Sequence, residues 1–157
     1  MLFFEIYKSP MGPIGLLADE DGLLRCDFQD GLRPVQPPEA AGPNAITRQA
    51  REQLIAYFTG QSAHLQAPLK FSATAFQTQV WQAIAAIPAG QTCSYSQLAA
   101  MLNKPSAVRA VASACGRNPL CMFIPCHRIL NKQGGLTGYV AGLGYKQQLL
   151  NLEKSYV

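Results

Sequence analysis

The order of apolar and polar positions divides the chain into a strand-like beginning and a helical remainder. Short apolar stretches at residues 2–7, 14–18 and 23–28 are separated by Ser9-Pro10-Met11-Gly12-Pro13 and by Asp19-Glu20-Asp21-Gly22. Runs of that length between turn-forming residues predict three strands joined as a meander. Pro34, Pro37, Pro38 and Pro43, with Gly42, make residues 34–43 a loop. Asn44 then stands as a predicted N-cap, and Ile46, Ala50, Leu54, Tyr57 and Phe58 recur at helical spacing until Gly60. Residues 61–72 read as a connection.

Beyond it the period is helical. Thr74 caps a predicted helix with Phe76, Val80, Trp81, Ile84 and Ile87 along one face, ended by Pro88 and Gly90. Ser94 caps a short helix through Leu102, Asn103-Lys104-Pro105 breaks it, and Ser106 caps another running to about Cys115. Two short helices across a tight turn are the pattern of a helix-turn-helix, and also of a plain structural hairpin. The second helix carries Ala107, Val108, Ala110, Ala112, Ser113 and Ala114 around a lone Arg109. A major-groove reader offers several long polar side chains to base edges. This helix offers almost none, and its small residues suit close approach to a narrow groove. The apolar run 120–124 predicts a buried strand, and the glycine-rich residues 131–138 a loop.

Composition sets the class. The chain has 157 residues, 48% hydrophobic and 14% charged, enough for a core without disulfides or a structural metal. No apolar run approaches the ~18 residues of a membrane span. Met1-Leu2-Phe3-Phe4-Glu5 has neither the basic nor the long apolar region of a secretory signal. A soluble cytoplasmic protein with no membrane partner is expected. Its charge is uneven: five bases face eight acids through residue 52, a net −3, whereas eight bases face only Glu153 from residue 53 onward, a net +7. Such a region suits a polyanion such as nucleic acid, or is a solvated basic face without a specific partner. The five cysteines include no Cys-x-x-Cys pair and are accompanied by only two histidines. That pattern predicts neither a disulfide framework nor a zinc site, and no cofactor is expected.

The densest chemistry is Ile124-Pro125-Cys126-His127-Arg128. A thiol attacks as its thiolate, a small fraction near neutral pH unless neighbours raise it, and an adjacent imidazole and guanidinium would do so. On the predicted C-terminal helix, Leu149, Leu150 and Glu153 share a face, which carries the region's one acid inward. A buried carboxylate needs a partner, and His127 is the one histidine beyond His64. A Cys126–His127–Glu153 triad follows, with a buried structural cysteine beside a surface histidine as the competing reading.

The surrounding residues resemble a known family. Asn118-Pro119, Pro125-Cys126-His127-Arg128 and Gly138-Tyr139 are similar to the O6-alkylguanine-DNA alkyltransferases, also called methylated-DNA–protein-cysteine methyltransferases. The likeness extends over Phe76, Val80-Trp81, Ile87-Pro88, Gly90, Ser94-Tyr95, Val108-Arg109-Ala110-Val111 and the helix from Leu149-Leu150 to Glu153. Ser9-Pro10, Gly12-Pro13, Ala18 and Asp21-Gly22-Leu23 are similar to that family's N-terminal domain. The resemblance implies an α+β fold. A small N-terminal α/β (ribonuclease H-like) subdomain with antiparallel strands would span residues 1–70. A mostly helical alkyltransferase and DNA-binding domain containing a helix-turn-helix would span 71–157.

It also implies roles. Cys126 would take the alkyl group from O6-alkylguanine in one irreversible transfer, with O4-alkylthymine as an alternative substrate. His127 would remove the thiol proton through a water, and Glu153 would orient the histidine. Tyr95 would donate to the departing guanine, and Asn118 would brace the turn beside the active site. Tyr139, Val140 and Trp81 would line the base pocket. The partner would be double-stranded DNA, bound by a monomer through its minor groove with the target base flipped out. Arg109 would fill the gap in the stack, with Ser94, Ala107, Val108, Ala110 and Ser113 against the DNA. The sequence departs from the family where Val140-Ala141 replaces the small residues common after the pocket tyrosine, and it lacks ligands for the N-terminal zinc of some members. Two rivals remain: a non-catalytic alkyltransferase-like protein, which Cys126 argues against, and a Cys–His hydrolase, which the basic region and Arg109 argue against.

Overall fold

Strand β1 (Phe3–Ser9) runs antiparallel to β2 (Gly12–Ala18), and β2 to β3 (Leu23–Phe28), as a three-stranded sheet in the order β1-β2-β3. In this computed structural model, residues 1–131, 139 and 142–156 are described. Gly12 takes φ 104° at the first hairpin, a conformation that costs other residues a Cβ clash. Helix α1 (Ala45–Phe58) lies on β1 and β2 and contributes Ala50, Leu54 and Tyr57 to the core with Ile14, Leu16, Leu23 and Phe28. Its start is fixed by a capping box. The Asn44 side chain accepts from Thr47 N–H at 2.9 Å, and Thr47 Oγ1 accepts from Asn44 N–H at 3.0 Å. These elements form one compact unit, Met1–Phe71, joined by Pro119–Phe123.

That last segment corrects the strand expected over 120–124. Only isolated bridging occurs there, Leu120 pairing with Cys26, and Met122 and Phe123 form a turn with Met122 at φ 74°. The residues are buried as expected, but the apolar run marks a buried turn, and burial alone does not distinguish the two.

The second unit comprises Ser72–Asn118 and Ile124–Val157. Helix α2 (Ala75–Ala85) begins at Thr74 and α3 (Tyr95–Met101) at Ser94, each with a complete capping box. Helix α4 (Val108–Gly116) packs on both. Its N-cap is Ala107 and no side chain caps it, so the cap expected at Ser106 is not formed. Strand β4 (Cys93–Ser94) pairs in parallel with β5 (Ile129–Leu130), which follows a single 3-10 turn, Cys126–Arg128. Helix α5 (Leu143–Lys154) packs on that turn. The core here is Val80, Trp81, Ile84, Leu98, Val111, Ala114, Ile129 and Leu149. The chain is thus α+β, an antiparallel sheet with one helix followed by a helical part. No helix among the described residues is long and apolar enough to cross a membrane.

Candidate active site

Pro125 ends the buried turn, and the next three residues wind into the 3-10 turn that places Cys126, His127 and Arg128 inside the second unit. Asn118 holds this turn from below. Its Nδ2 donates to Ile124 O at 2.8 Å and to Cys126 Sγ at 3.1 Å, so one amide fixes both the backbone and the thiol. The thiol is 4% exposed.

Helix α5 brings its inward stripe against the same turn. Lys146, Leu149, Leu150 and Glu153 are its buried residues, at the three- and four-residue steps of one helix face. Glu153, 1% exposed, accepts from Arg128 twice, from Nε at 2.8 Å and Nη2 at 2.7 Å. This is the bidentate fork that a guanidinium forms best with a carboxylate. Arg128 Nη1 also donates to Ile87 O at 2.6 Å, which ties the end of α2 to the site. The remaining strong contact is His127 Nε2 to Glu153 Oε2 at 2.7 Å.

The electrostatics assign the proton in that contact. Burial would raise the Glu153 carboxyl, but the hydrogen bonds from His127 and Arg128 overcome it and hold the group at about 2. Burial dominates at His127 and lowers its imidazole below the usual value, against the upward pull of Glu153. Near neutral pH the set is therefore carboxylate, guanidinium and neutral imidazole. A carboxylate can only accept, so Nε2 carries the ring proton and Nδ1 keeps its lone pair. Nδ1 is buried without a hydrogen-bond partner among the described atoms. A fully buried basic nitrogen, oriented from behind by a carboxylate and lying one residue from a fixed thiol, has the arrangement of a general base serving a nucleophile.

Other residues singled out by sequence fall in different places. Tyr139 is buried and meets the His127 ring edge-to-face, with centroids 6.3 Å apart and planes at 86°. Tyr95 is the first residue of α3 and half-buried. Trp81 is buried, and its indole N–H donates to Ala114 O at 2.9 Å, joining α2 to α4. Val140 and the neighbouring Ala141 lie outside the described residues. Arg109, Ala110 and Ser113 are exposed on α4, whereas Ala107 and Val108 are half-buried at its start. Ser94 lines a cavity of about 340 Å³ with Thr92, Cys93, Ser96, Gln97, Leu130 and Asn131. No group of three or more His, Cys, Asp or Glu among the described residues is arranged to hold a metal.

Two participants were not foreseen in their actual parts. Arg128, expected to act on the thiol, is bound to Glu153. Lys146, 1% exposed, has its ammonium disfavoured chiefly by burial, and the charges of Cys126 and Cys115 act against that. Its signal was available in the sequence, since it lies three residues before Leu149 and seven before Glu153 on the inward face.

Comparison with known proteins matches both halves. The model of the 6-O-methylguanine DNA methyltransferase, DNA binding domain, matches residues 75–155, and that of the 6-O-methylguanine DNA methyltransferase, ribonuclease-like domain, matches residues 2–71. A methylated-DNA–protein-cysteine methyltransferase of Methanosarcina acetivorans is 40% identical over 155 residues, covering 98% of this chain and 99% of that protein. The crystal structure of Mycobacterium tuberculosis O6-methylguanine methyltransferase is similar with a TM-score of 0.87 at 35% identity, covering 100% of this chain and 95% of that one. A crystal structure of the Mycobacterium tuberculosis protein in complex with DNA is similar with a TM-score of 0.86 at 35% identity, covering 99% and 94%.

Proposed function

The chain belongs to the O6-alkylguanine-DNA alkyltransferase family, and from that premise we propose that it repairs DNA by moving an alkyl group from guanine O6 to its own Cys126. The observation that carries this reading is the pairing of His127 Nε2 with Glu153, which leaves Nδ1 as a buried base on the residue that follows a cysteine held by Asn118. Through one water, Nδ1 takes the Cys126 proton. The imidazolium so formed is stabilised by Glu153, whose own charge is kept by Arg128. The sulfur attacks the alkyl carbon, the C–O6 bond breaks, and the electron pair leaves with guanine. Tyr95 donates to the departing base, which is otherwise a poor leaving group. Asn118 keeps the sulfur in line, and Tyr139 with Val140 walls the pocket. The product is a thioether with no route to hydrolysis, so each chain acts once.

The partner is double-stranded DNA carrying the lesion. Chemistry at O6 needs the base outside the stack, and Arg109 takes its place there. The small residues Ala107, Val108, Ala110 and Ser113, with Ser94, lie against the minor groove. The protein works as a cytoplasmic monomer with its DNA-binding and acceptor parts over residues 71–157 and the smaller part over 1–70. Incubation with excess O6-methylguanine duplex, followed by peptide mass spectrometry, tests the proposal. The expected result is one methyl per chain, on the Cys126 peptide. Methylation elsewhere, or continued turnover as a hydrolase would show, overturns it.

A further inference from the structure

Cys115, in the last turn of α4, lies at the other end of the residue that holds Cys126. The Asn118 backbone N–H donates to Cys115 O at 3.3 Å, and its Nδ2 donates to Cys126 Sγ at 3.1 Å. Both cysteines are 4% exposed and belong to the same unit. One residue, Asn118, thus bonds to the backbone of one cysteine and to the sulfur of the other, and charge on Cys126 influences Cys115 as both influence the buried Lys146 amine. All five cysteines are present as thiols. Alkyl transfer uses one of this pair, and it leaves Cys115 without a part.

We propose that Cys115 and Cys126 form an oxidative modification site, in which Cys115 resolves a sulfenic acid on Cys126 into an intramolecular disulfide. Hydrogen peroxide is the oxidant. The Cys126 thiolate attacks one peroxide oxygen, the O–O bond breaks, and Cys126–SOH and hydroxide form. The sulfur of Cys115 then attacks the sulfur of Cys126, the S–O bond breaks, and the hydroxyl leaves as water with the Cys115 proton. Two thiols and one peroxide give one disulfide and two waters. The order of events follows from the surroundings. Burial is the main reason that the Cys115 thiol is pushed up to about 12, and the charge of Cys126 adds to it. Conversion of Cys126 to the neutral sulfenic acid removes that second influence just when Cys115 must ionise. The disulfide stops the climb to sulfinic acid, which would be irreversible, and it withholds the alkyl acceptor until a reductant restores it. Such a reversible bond is the form that disulfides take in a reducing compartment.

The experiment treats the reduced full chain with one equivalent of hydrogen peroxide and digests it without reduction. A Cys115–Cys126 linked peptide is expected, and dithiothreitol should return both the thiols and the capacity to accept a benzyl group from O6-benzylguanine. Cys115→Ala and Cys115→Ser should accept the benzyl group before oxidation. After an excess of peroxide, since sulfinic acid takes two equivalents per thiol, either variant should recover at least tenfold less capacity with dithiothreitol than the native chain at the same dose, with Cys126 found as sulfinic acid. Cys93→Ala, which removes the other thiol acting on Cys115, should still form the link. Sulfinic Cys126 in the native chain, or a bond to Cys93 or Cys121, overturns the proposal. The linked peptide is read without any DNA, so its formation in a chain that takes no alkyl group would overturn the repair reading alone. Alkyl transfer without the link overturns only this site.

Discussion

Glu153 carries a full charge in the protein interior because two neighbours replace the water it lost. Its folded-state value of about 2 lies below the ordinary 4.5, so the carboxylate stabilises the fold above about pH 4.5, and that contribution disappears as pH falls toward 2. At 1.36 kcal/mol per unit the full effect is about 3 kcal/mol. His127 acts in the same direction at higher pH. Its imidazole is lowered from 6.5, chiefly by burial, so below that pH the unfolded chain takes a proton that the folded chain resists. Stability measured by denaturant midpoint should decline below pH 6.5 and decline again below 4.5. His127→Gln should lack the upper decline. Glu153→Gln should shrink the lower one, leaving the part from Asp19, which Lys70 also holds at about 2, and it should lose about 3–5 kcal/mol at neutral pH because the buried Arg128 then has no counter-charge. A variant with the wild-type profile at either limb would show that the residue titrates independently of this cluster. The same variant should also accept the alkyl group more slowly, with a shifted pH dependence.

At the scale of elements, helix starts were legible because each carries its own local chemistry. Asn44, Thr74 and Ser94 all form the capping boxes that their side chains suggest. The start of α4 was not, because no side chain caps it: the Ala107 backbone, at φ −95° and ψ 26°, begins the helix after the turn at 104–107. Residues 120–124 misled for a different reason. A fully apolar run reports burial, and the left-handed Met122 that makes it a turn has no signature in a residue type that rarely adopts that conformation. The pairing of His127 with Glu153 was legible because the back region offers one acid and one histidine, whereas the fork from Arg128 to Glu153 depends on a three-dimensional approach that spacing does not encode. Trp81, expected at the pocket, joins α2 to α4 through its indole, and this gives a test. Trp81→Phe leaves the buried Ala114 carbonyl without its indole donor, so the chain should lose about 1–3 kcal/mol of stability. Its rate with O6-benzylguanine should stay near that of the native protein. A large rate loss at unchanged stability would return Trp81 to the pocket wall.

For the molecule as a whole, the sequence's charge asymmetry overstates what the surface offers. Of the eight bases beyond residue 52, Arg128 and Lys146 are buried, Lys70 is bound to Asp19 and Asp21, and Lys132 lies outside the described residues. Lys70 is exposed but tied to those two carboxylates, which leaves Lys104, Arg109, Arg117 and Lys154 as the other exposed bases among those described, and Lys104 also lies over the Phe76 ring at 5.1 Å. Glu153, the single acid, is buried as well, so it subtracts nothing from the surface field. Each cation that neutralises a phosphate releases a counterion and steepens the salt dependence by about 0.9 in log–log slope. Affinity for unmodified duplex should therefore fall with a slope of about −4, against about −7 if all eight bases touched phosphate. The steeper value would show that bases of the first unit also reach the DNA. Arg109→Ala then separates binding from base extrusion. Loss of a phosphate contact alone would reduce the slope by about one and weaken lesion and non-lesion duplex alike. A side chain that fills the vacated stack offsets part of the few kcal/mol needed to flip a base. Its removal should slow transfer from duplex O6-methylguanine far more than it weakens binding, and leave the reaction with free O6-benzylguanine near normal. Placing the lesion in a single strand should shrink the defect, and Arg109→Lys should restore only part of the duplex rate, because an ammonium cannot stack as a planar guanidinium does. Equal impairment of free-base and duplex reactions would instead place Arg109 in support of the fold.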